Sequence, residues 1–500
     1  MDLFRTKSVE AVRADAGDGD GAGEGAGGAP GAGHLRKRLS ARHLVGFGIG
    51  IVIGTGIFTL TGVTAKNTAG PAVVVSFALA GLVALLAAVC YAELASAVPT
   101  AGSAYSYTYA TVGEVVAWII GWDLFLEFAL GAAVVARGWS GYVGNLFDLP
   151  PSLFGETATV NVGAAAIVVV LTLVAVLGIQ ESARVTGLLV VVKVAVCVFV
   201  IGVGAWFVRG DNLSPFVPPS EPAEGGSGLT RPLIEAIAGL EPAAFGVGGV
   251  VTAAAVVFFA YTGFEAVANL SEETRRPARD VPLGLLGTLG LATALYVGVA
   301  FVVVGMVRYT DIDEGAPIAD AFDQVGLGWA SSLVSIAAVA GLTSVILVDL
   351  ITIGRIGFAM GRDGLLPPAV ARVSPRTGVP ARVTLLFAVL VLVLAAFVPL
   401  GTLADLVSIG TLFAFLLVAI AVPVLRRTRP ELPRPFRVPF SPVVPVLAAV
   451  ACLYLMLNLS IETWLRFLAW LALGMVVYVA YGYRHSRVRQ AARSGLVDRG

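Results

Sequence analysis

Apolar runs of about twenty residues recur from near residue 44 to near residue 483, with short polar, Gly- or Pro-bearing gaps between them. A run of that length predicts a bilayer-spanning helix, because a ~30 Å hydrocarbon core takes roughly 20 residues at 1.5 Å each. The pattern places spans at 44–65, 71–98, 115–143, 160–180, 184–208, 246–270, 281–306, 328–358, 382–399, 402–425, 442–459 and 461–483. Between the ninth and tenth the only gap is Pro399-Leu400-Gly401. The start of the chain breaks the pattern. Its Gly-, Ala- and Asp-rich stretch offers too little apolar surface to offset ordering entropy, and it lacks the apolar core of a signal peptide. We expect a disordered tail over 1–35.

Charge placement orients the spans. Arg36, Lys37, Arg38 and Arg42 precede the first. Arg275, Arg276 and Arg279 follow the sixth, and Arg362, Arg372, Arg376 and Arg382 follow the eighth. Further arginines follow the tenth (Arg426 to Arg437) and the twelfth (Arg484 to Arg493). With twelve spans every cluster falls on one side, so both termini are expected in the cytoplasm of a cell whose inner membrane holds the chain. Opposite loops are acidic or neutral, as over Asp311 to Asp323.

Composition agrees: 57% of residues are hydrophobic and 13% charged, against about 25% charged in soluble domains. This argues against a secreted disulfide scaffold and a nucleic-acid binder. Cys90, Cys197 and Cys452 sit in apolar runs without metal or redox spacing, so they read as packing residues. His34, His43 and His485 lie near the chain ends, which argues against a histidine-based enzyme or a metal site in the bilayer. We expect no enzyme activity, no cofactor and no metal. No span carries the polar stripe a channel would need.

Two spans look broken. The first reads Gly46-Phe-Gly-Ile-Gly-Ile-Val-Ile-Gly-Thr-Gly-Ile-Phe58. Each glycine costs a helix roughly 0.8–1.0 kcal/mol relative to alanine. Close helix packing accounts for Gly46 and Gly50. It accounts less well for Gly54-Thr55-Gly56, which favours unwinding. The sixth span carries Gly263 at comparable depth, in Phe258-Phe-Ala-Tyr-Thr-Gly-Phe-Glu265. A Pro- and Gly-rich loop over 209–245 separates the first five spans from the rest, so the breaks fall on the first span of each half. Matching breaks point to a transporter site, where freed backbone groups meet a zwitterion.

Several motifs then resemble amino-acid permeases of the amino acid–polyamine–organocation superfamily, most closely the cationic amino acid transporter branch. They are Gly48 to Phe58, Ala69-Gly-Pro-Ala72, Tyr91-Ala-Glu-Leu94, Pro99 to Tyr107, Gly121-Trp-Asp-Leu124 and Gly263-Phe-Glu265. The resemblance covers roughly 36–485. It implies an all-α membrane protein with a LeuT-like five-plus-five inverted repeat, broken helices one and six, and alternating access. The repeats would be 36–208 and 246–425, joined by the outside loop 209–245. Two added helices over 426–485 and a tail over 486–500 would follow. The Val52 carbonyl and Thr55 would serve a substrate ammonium, and the N–H groups of Gly54, Thr55 and Gly56 its carboxylate. Phe259, Ala260 and Thr262 would offer carbonyls to the ammonium, with Phe259 also gating. Ordinary packing is the alternative for Phe259.

Ionisable residues in the spans sharpen this. Of the lysines Lys7, Lys37, Lys66 and Lys193, only Lys193 lies mid-span. It resembles the family lysine that stands where relatives hold sodium, so we expect it to titrate and couple transport to protons. A fixed structural charge is the alternative. Glu127 and Asp123 share a helix face at i, i+4. Glu127 resembles the family acid beside the central cavity, and Asp123 is expected only to cap or hydrogen-bond. Glu265 is expected to organise the second break, Glu93 to be structural, and Arg137 to snorkel to the outer surface. Asp349, mid-span in the eighth helix, costs roughly 2.5–3.5 kcal/mol without a partner or water; a structural pair with Lys193 or Arg355 is the alternative, although Arg355, six residues on, falls on the wrong face for a tight intrahelical pair. By alignment on Arg355 it falls where the family lines the substrate side-chain pocket, and relatives favouring small neutral amino acids carry an apolar residue there. The expected function is secondary active, proton-coupled uptake of a basic amino acid such as arginine, lysine or ornithine. Alternatives are facilitative exchange and carriage of small neutral amino acids. The expected partners are a small-molecule amino acid, protons and the lipid bilayer, with room for a small accessory membrane subunit and none for nucleic acid.

Overall fold

A computed structural model describes residues 39–97, 105, 108–109, 113–178, 183–222, 228–240, 243–270, 274–374, 376–431 and 433–493. The whole of the expected tail over 1–35 and the end of the expected tail over 486–500 lie outside them, as do the basic residues Arg36, Lys37 and Arg38.

The apolar segments are helical because lipid offers backbone groups no partner, so each segment must close its own hydrogen bonds. The helices are α1 (Ala41–Val52), α2 (Val73–Ala97), α3 (Glu114–Phe147), α4 (Val162–Val176), α5 (Ala183–Gly204) and α6 (Gly246–Val257). They continue as α7 (Pro277–Met306), α8 (Gly328–Arg362), α9 (Ala381–Phe397), α10 (Leu400–Thr428), α11 (Val443–Leu457) and α12 (Ile461–Val477). Among the described residues, eight helical stretches are long and apolar enough to cross a membrane. Four shorter apolar helices, α1, α4, α9 and α11, accompany them.

Two groups of helices emerge from the packing. One joins α1, α2, α6 and α7: α7 packs along α1 and α2, and α2 along α6. The other joins α3, α4, α8 and α9, with its most extensive contact between α3 and α8. Against both groups lie α5, which touches α1 and α8, and α10, which touches α2, α3 and α6. The loop over 209–245 carries a two-residue antiparallel pairing, Glu221–Pro222 with Ala243–Ala244. It is stitched to the α11–α12 turn where Leu233 N donates to Leu459 O and Ile461 N to Arg231 O.

The expectation that Arg137 snorkels is corrected. Its side chain is 1% exposed. The guanidinium donates to Glu156 Oε1 at 3.2 Å and to the Val398 carbonyl at 2.6 Å. The other Glu156 oxygen accepts from Leu400 N at 3.1 Å, at the start of α10. The short gap Pro399-Leu400-Gly401 therefore works as a turn: Arg137 takes a carbonyl orphaned at the end of α9, and Glu156 takes an N–H orphaned at the start of α10. Glu93 is pinned at the opposite end. It accepts from Arg426 at 2.9 and 2.6 Å and from Val438 N at 2.7 Å, fixing the arginine-rich connection after α10 against α2.

Candidate functional site

Both suspected breaks are present. Helix α1 ends at Val52, Ile53 and Gly54 are non-helical, and helix resumes over Thr55–Phe58. Ending a helix in mid-membrane strands the last carbonyls. Gly50 O would accept from Gly54 N in an unbroken helix; instead it accepts from Lys193 Nζ at 2.9 Å. Val52 O accepts from the Tyr296 hydroxyl at 2.7 Å. The same hydroxyl lies 3.0 Å from Ala260 O, so Tyr296 bridges the two broken segments.

The second break follows α6. A tight 3-10 turn, Phe258–Tyr261, leads to extended Thr262 and to Gly263 at φ +91°, before a second 3-10 stretch, Phe264–Leu270. A side chain at Gly263 would be strained there and would strike Ile51 of α1. Gly263 N donates to Glu265 Oε2 at 3.0 Å. Phe259 N donates to Ser408 Oγ at 3.2 Å, and that hydroxyl donates to Val256 O at 3.0 Å. The breaks meet at Gly56, where a Cβ would run into the backbone of Ala260.

A cavity of ≈ 370 Å³ lies between them. Of the expected site residues, Val52, Gly54, Gly56, Phe259, Ala260, Thr262, Glu127 and Asp349 line it. The Thr55 side chain lies outside what the structure describes. Lys193 does not line the cavity; it sits behind α1, 1% exposed, with its stem against Gly341. The sequence reading did not single out Gly131, Thr411, Ser408, Tyr296 or Tyr105. Tyr296 and Ser408 sit in ordinary apolar helical patterns, so only the stranded groups of the breaks could have pointed to them.

Three carboxyls face this space. Glu127 Oε1 accepts from Thr411 Oγ1 at 3.0 Å. Glu265 keeps Oε1 buried and without a hydrogen bond among the described residues. Asp349 lies opposite Gly131 of α3, close enough that a Cβ on Gly131 would sit 3.3 Å from Asp349 Oδ2. No hydrogen bond forms on Asp349 among the described residues, although Lys193 and Glu265 are near enough to interact with it as charges. Among the described residues, the one basic side chain on the lining is Arg355. Asp123 is also corrected: it caps nothing. It is fully buried, and neither oxygen has a hydrogen-bond partner among the described residues, with Gly410 packed against Oδ1.

The cavity is closed at the end that carries Asp311 to Asp323. Tyr142 donates to Phe58 O at 2.6 Å, Gly62 packs on Pro317, Gly141 on the Gly315 backbone, and Lys66 donates to Ile312 O at 3.2 Å. Toward the arginine-rich end the lining continues through Phe47, Ile51, Tyr105, Leu270, Arg355 and Ala359. The arrangement can hold a small polar molecule between the two breaks.

A family model described as amino acid permease matches residues 39–480. The chain is 42% identical to the methylthioribose transporter of Bacillus subtilis (strain 168), over 97% of this chain and 98% of that one. It is 41% identical to the branched-chain amino acid permease BcaP of the same organism, over 98% and 99%. It is 37% identical to the vacuolar cationic amino acid transporter 4 of Arabidopsis thaliana, over 86% and 68%.

Proposed function

The chain belongs to the amino acid permease family of the amino acid–polyamine–organocation superfamily, and we propose that it carries a basic amino acid across the membrane together with a proton. It is a multi-pass membrane protein. Our reading gives it twelve spans, a five-plus-five inverted repeat and both termini in the cytoplasm. The pairing of α1 and α2 with α6 and α7, and of α3 and α4 with α8 and α9, supports that reading, because each half then contributes equivalent helices to each group. Closure at one end and lining toward the other fit one state of an alternating-access cycle.

The observation that carries the substrate class is Asp349, a carboxylate on the cavity with no hydrogen bond of its own. Glu127 and Glu265 share the lining; among the described residues Arg355 is the one basic side chain on it, and Lys193 stands behind it within electrostatic reach of Asp349. An arginine, lysine or ornithine side chain would bring the cation such a wall lacks; alanine would leave the charge unanswered. The substrate ammonium takes the carbonyls near Val52, Phe259, Ala260 and Thr262, displacing the hold of Tyr296. The carboxylate takes the N–H groups of Gly54, Thr55 and Gly56, where helix restarts.

Lys193 is the coupling group in this reading. Protonated, it holds the stranded Gly50 carbonyl and fixes the end of α1. Deprotonated, it loses much of that hold and frees the segment to move. Proton release is thereby tied to a hinge rather than to substrate contact.

A neutral apolar substrate is the second reading. Leu124, Phe128, Val345, Val348 and Ile356 line the same cavity, and BcaP is a branched-chain permease. Uptake into proteoliposomes decides. With an inward proton gradient, labelled arginine should accumulate and be displaced by lysine or ornithine better than by leucine or alanine. Preferential displacement by leucine would overturn the basic-substrate reading, and accumulation indifferent to the gradient would overturn the proton coupling.

A further inference from the structure

The transport reading gives every charged side chain on the cavity a task except Arg355. It stands in α8, seven residues before that helix ends at Arg362, or about 10 Å along the axis. A long cation near a span end usually reaches for water along the outside of the bundle. Arg355 lines the cavity instead, on the stretch that Phe47 and Ile51 of α1, Leu270 and Ala359 also line. Other arginines drawn into the bundle have partners: Arg137 has Glu156 and the Val398 carbonyl, and Arg426 has Glu93. Arg355 is exposed and forms no hydrogen bond or ion pair among the described residues.

The groups at the breaks differ from it in this respect. Tyr296 already holds the Val52 and Ala260 carbonyls, and Ser408 holds Phe259 N. The unanswered cation therefore lies away from the breaks, toward the arginine-rich end. A guanidinium presents paired N–H donors that match the two oxygens of a carboxylate. The apolar neighbours lower the local dielectric constant and strengthen such a pair. Arg355 is also six residues from Asp349 on the same helix, about 9 Å along the axis. That spacing is comparable with the reach of an extended arginine or lysine from side-chain cation to carboxylate.

We propose that Arg355 is a second subsite for the substrate carboxylate, on the arginine-rich side of the first one at Gly54, Thr55 and Gly56. The proposal rests on reading the cavity as a transport path and adds a position to that site. A basic substrate keeps its side-chain cation at Asp349 while its carboxylate passes from the backbone N–H groups to the guanidinium. Its ammonium then leaves the Val52 and Ala260 carbonyls, and Tyr296 holds both as it does here. A neutral amino acid would use Arg355 in the same way, because this subsite reads only the carboxylate.

The test is calorimetric titration of the purified full chain with arginine and with argininamide, in which a neutral amide replaces the carboxylate. At about pH 6 the α-amino group of both ligands is protonated. Arg355→Gln should weaken arginine about tenfold, the worth of one hydrogen bond to a charged group, and change argininamide by less than about twofold. Equal weakening of the two ligands would overturn the subsite, because a structural role acts on both alike. Unchanged arginine affinity would overturn it as well. If Arg355→Gln does not fold, Arg355→Met, which keeps the apolar stem and drops the charge, decides by the same comparison. Leucine and leucinamide, titrated in parallel, carry the test for a neutral substrate: weakening of leucine alone would support the subsite even where arginine does not bind. A wild-type chain that bound neither arginine nor leucine would refute the transport reading, and the subsite with it.

Discussion

Replacing Asp349 by Asn keeps the shape of the side chain opposite Gly131 and removes its charge. A substrate cation about 4 Å from the carboxylate gains roughly 4 kcal/mol at an effective dielectric constant of about 20. Desolvating both groups returns part of that. What remains is of the order of one hydrogen bond to a charged group, about 1.5–3 kcal/mol. An alanine substrate neither gains this term nor loses it. The ratio of kcat/KM for arginine over alanine should therefore fall roughly 10- to 150-fold in Asp349→Asn. Asp349→Met should reverse the order of preference. The assay is competition against labelled substrate in proteoliposomes at fixed pH and gradient. Two results would refute the reasoning: alanine outcompeting arginine in the wild type, or an arginine-to-alanine ratio unmoved by Asp349→Asn.

Other substitutions probe the remaining parts. Lys193→Ala should abolish the response of uptake to an imposed proton gradient; uphill uptake that still follows pH would show that the coupling group lies elsewhere. Tyr296→Phe strands the Val52 and Ala260 carbonyls and should destabilise the substrate-free protein by about 1–3 kcal/mol. Because a bound ammonium replaces the lost hydroxyl, the thermal shift caused by substrate should grow, and an equal shift in both proteins would contradict the proposed ammonium site. Gly56→Val drives a side chain into the Ala260 backbone and should eliminate uptake, whereas Gly46→Ala, where the structure shows open space instead of the close helix packing expected from the sequence, should leave uptake near wild type. Arg137→Met leaves the half-buried Glu156 without its cation and the Val398 carbonyl without its donor, and should cost about 1–3 kcal/mol in thermal unfolding; an unchanged melting temperature would contradict a clamp at the α9–α10 turn.

Helix positions were legible because lipid imposes one rule, continuous apolar length, that sequence displays directly. The α4 segment shows the limit of that rule: 160–180 is apolar, but α helix is confined to Val162–Val176, since Asn161 caps its start by accepting from Ala164 N. The breaks were legible for a local reason, Gly54-Thr55-Gly56 and Gly263 being poor helix residues at matching places. The partners that stabilise the breaks come from distant parts of the chain and carry no local signal. Tyr296 reads as one more aromatic in α7, and Ser408 as one more small residue in α10. Arg137 misled because a long cation near a span end usually finds water; only the fold brings Glu156 and the Val398 carbonyl to it.

The breaks themselves suggest why binding and movement are linked. An unbroken helix satisfies its own carbonyls and has little reason to respond to a small molecule. Here the stranded groups are satisfied by side chains of other helices: Gly50 O by Lys193 of α5, Val52 O and Ala260 O by Tyr296 of α7, and Phe259 N by Ser408 of α10. Each is a single hydrogen bond, strong enough to fix one arrangement in a dry interior and weak enough to be exchanged for a bond to substrate or lost with a proton. In the proposed mechanism, substrate at the breaks would compete with Tyr296 and deprotonation would weaken the hold of Lys193, so both would act on the end of the same helix, α1. A ligand shifts a conformational equilibrium only by its difference in affinity for the two states. In the proposed mechanism, substrate bonds made at the expense of Tyr296, together with a proton lost from Lys193, would supply that difference at the end of α1.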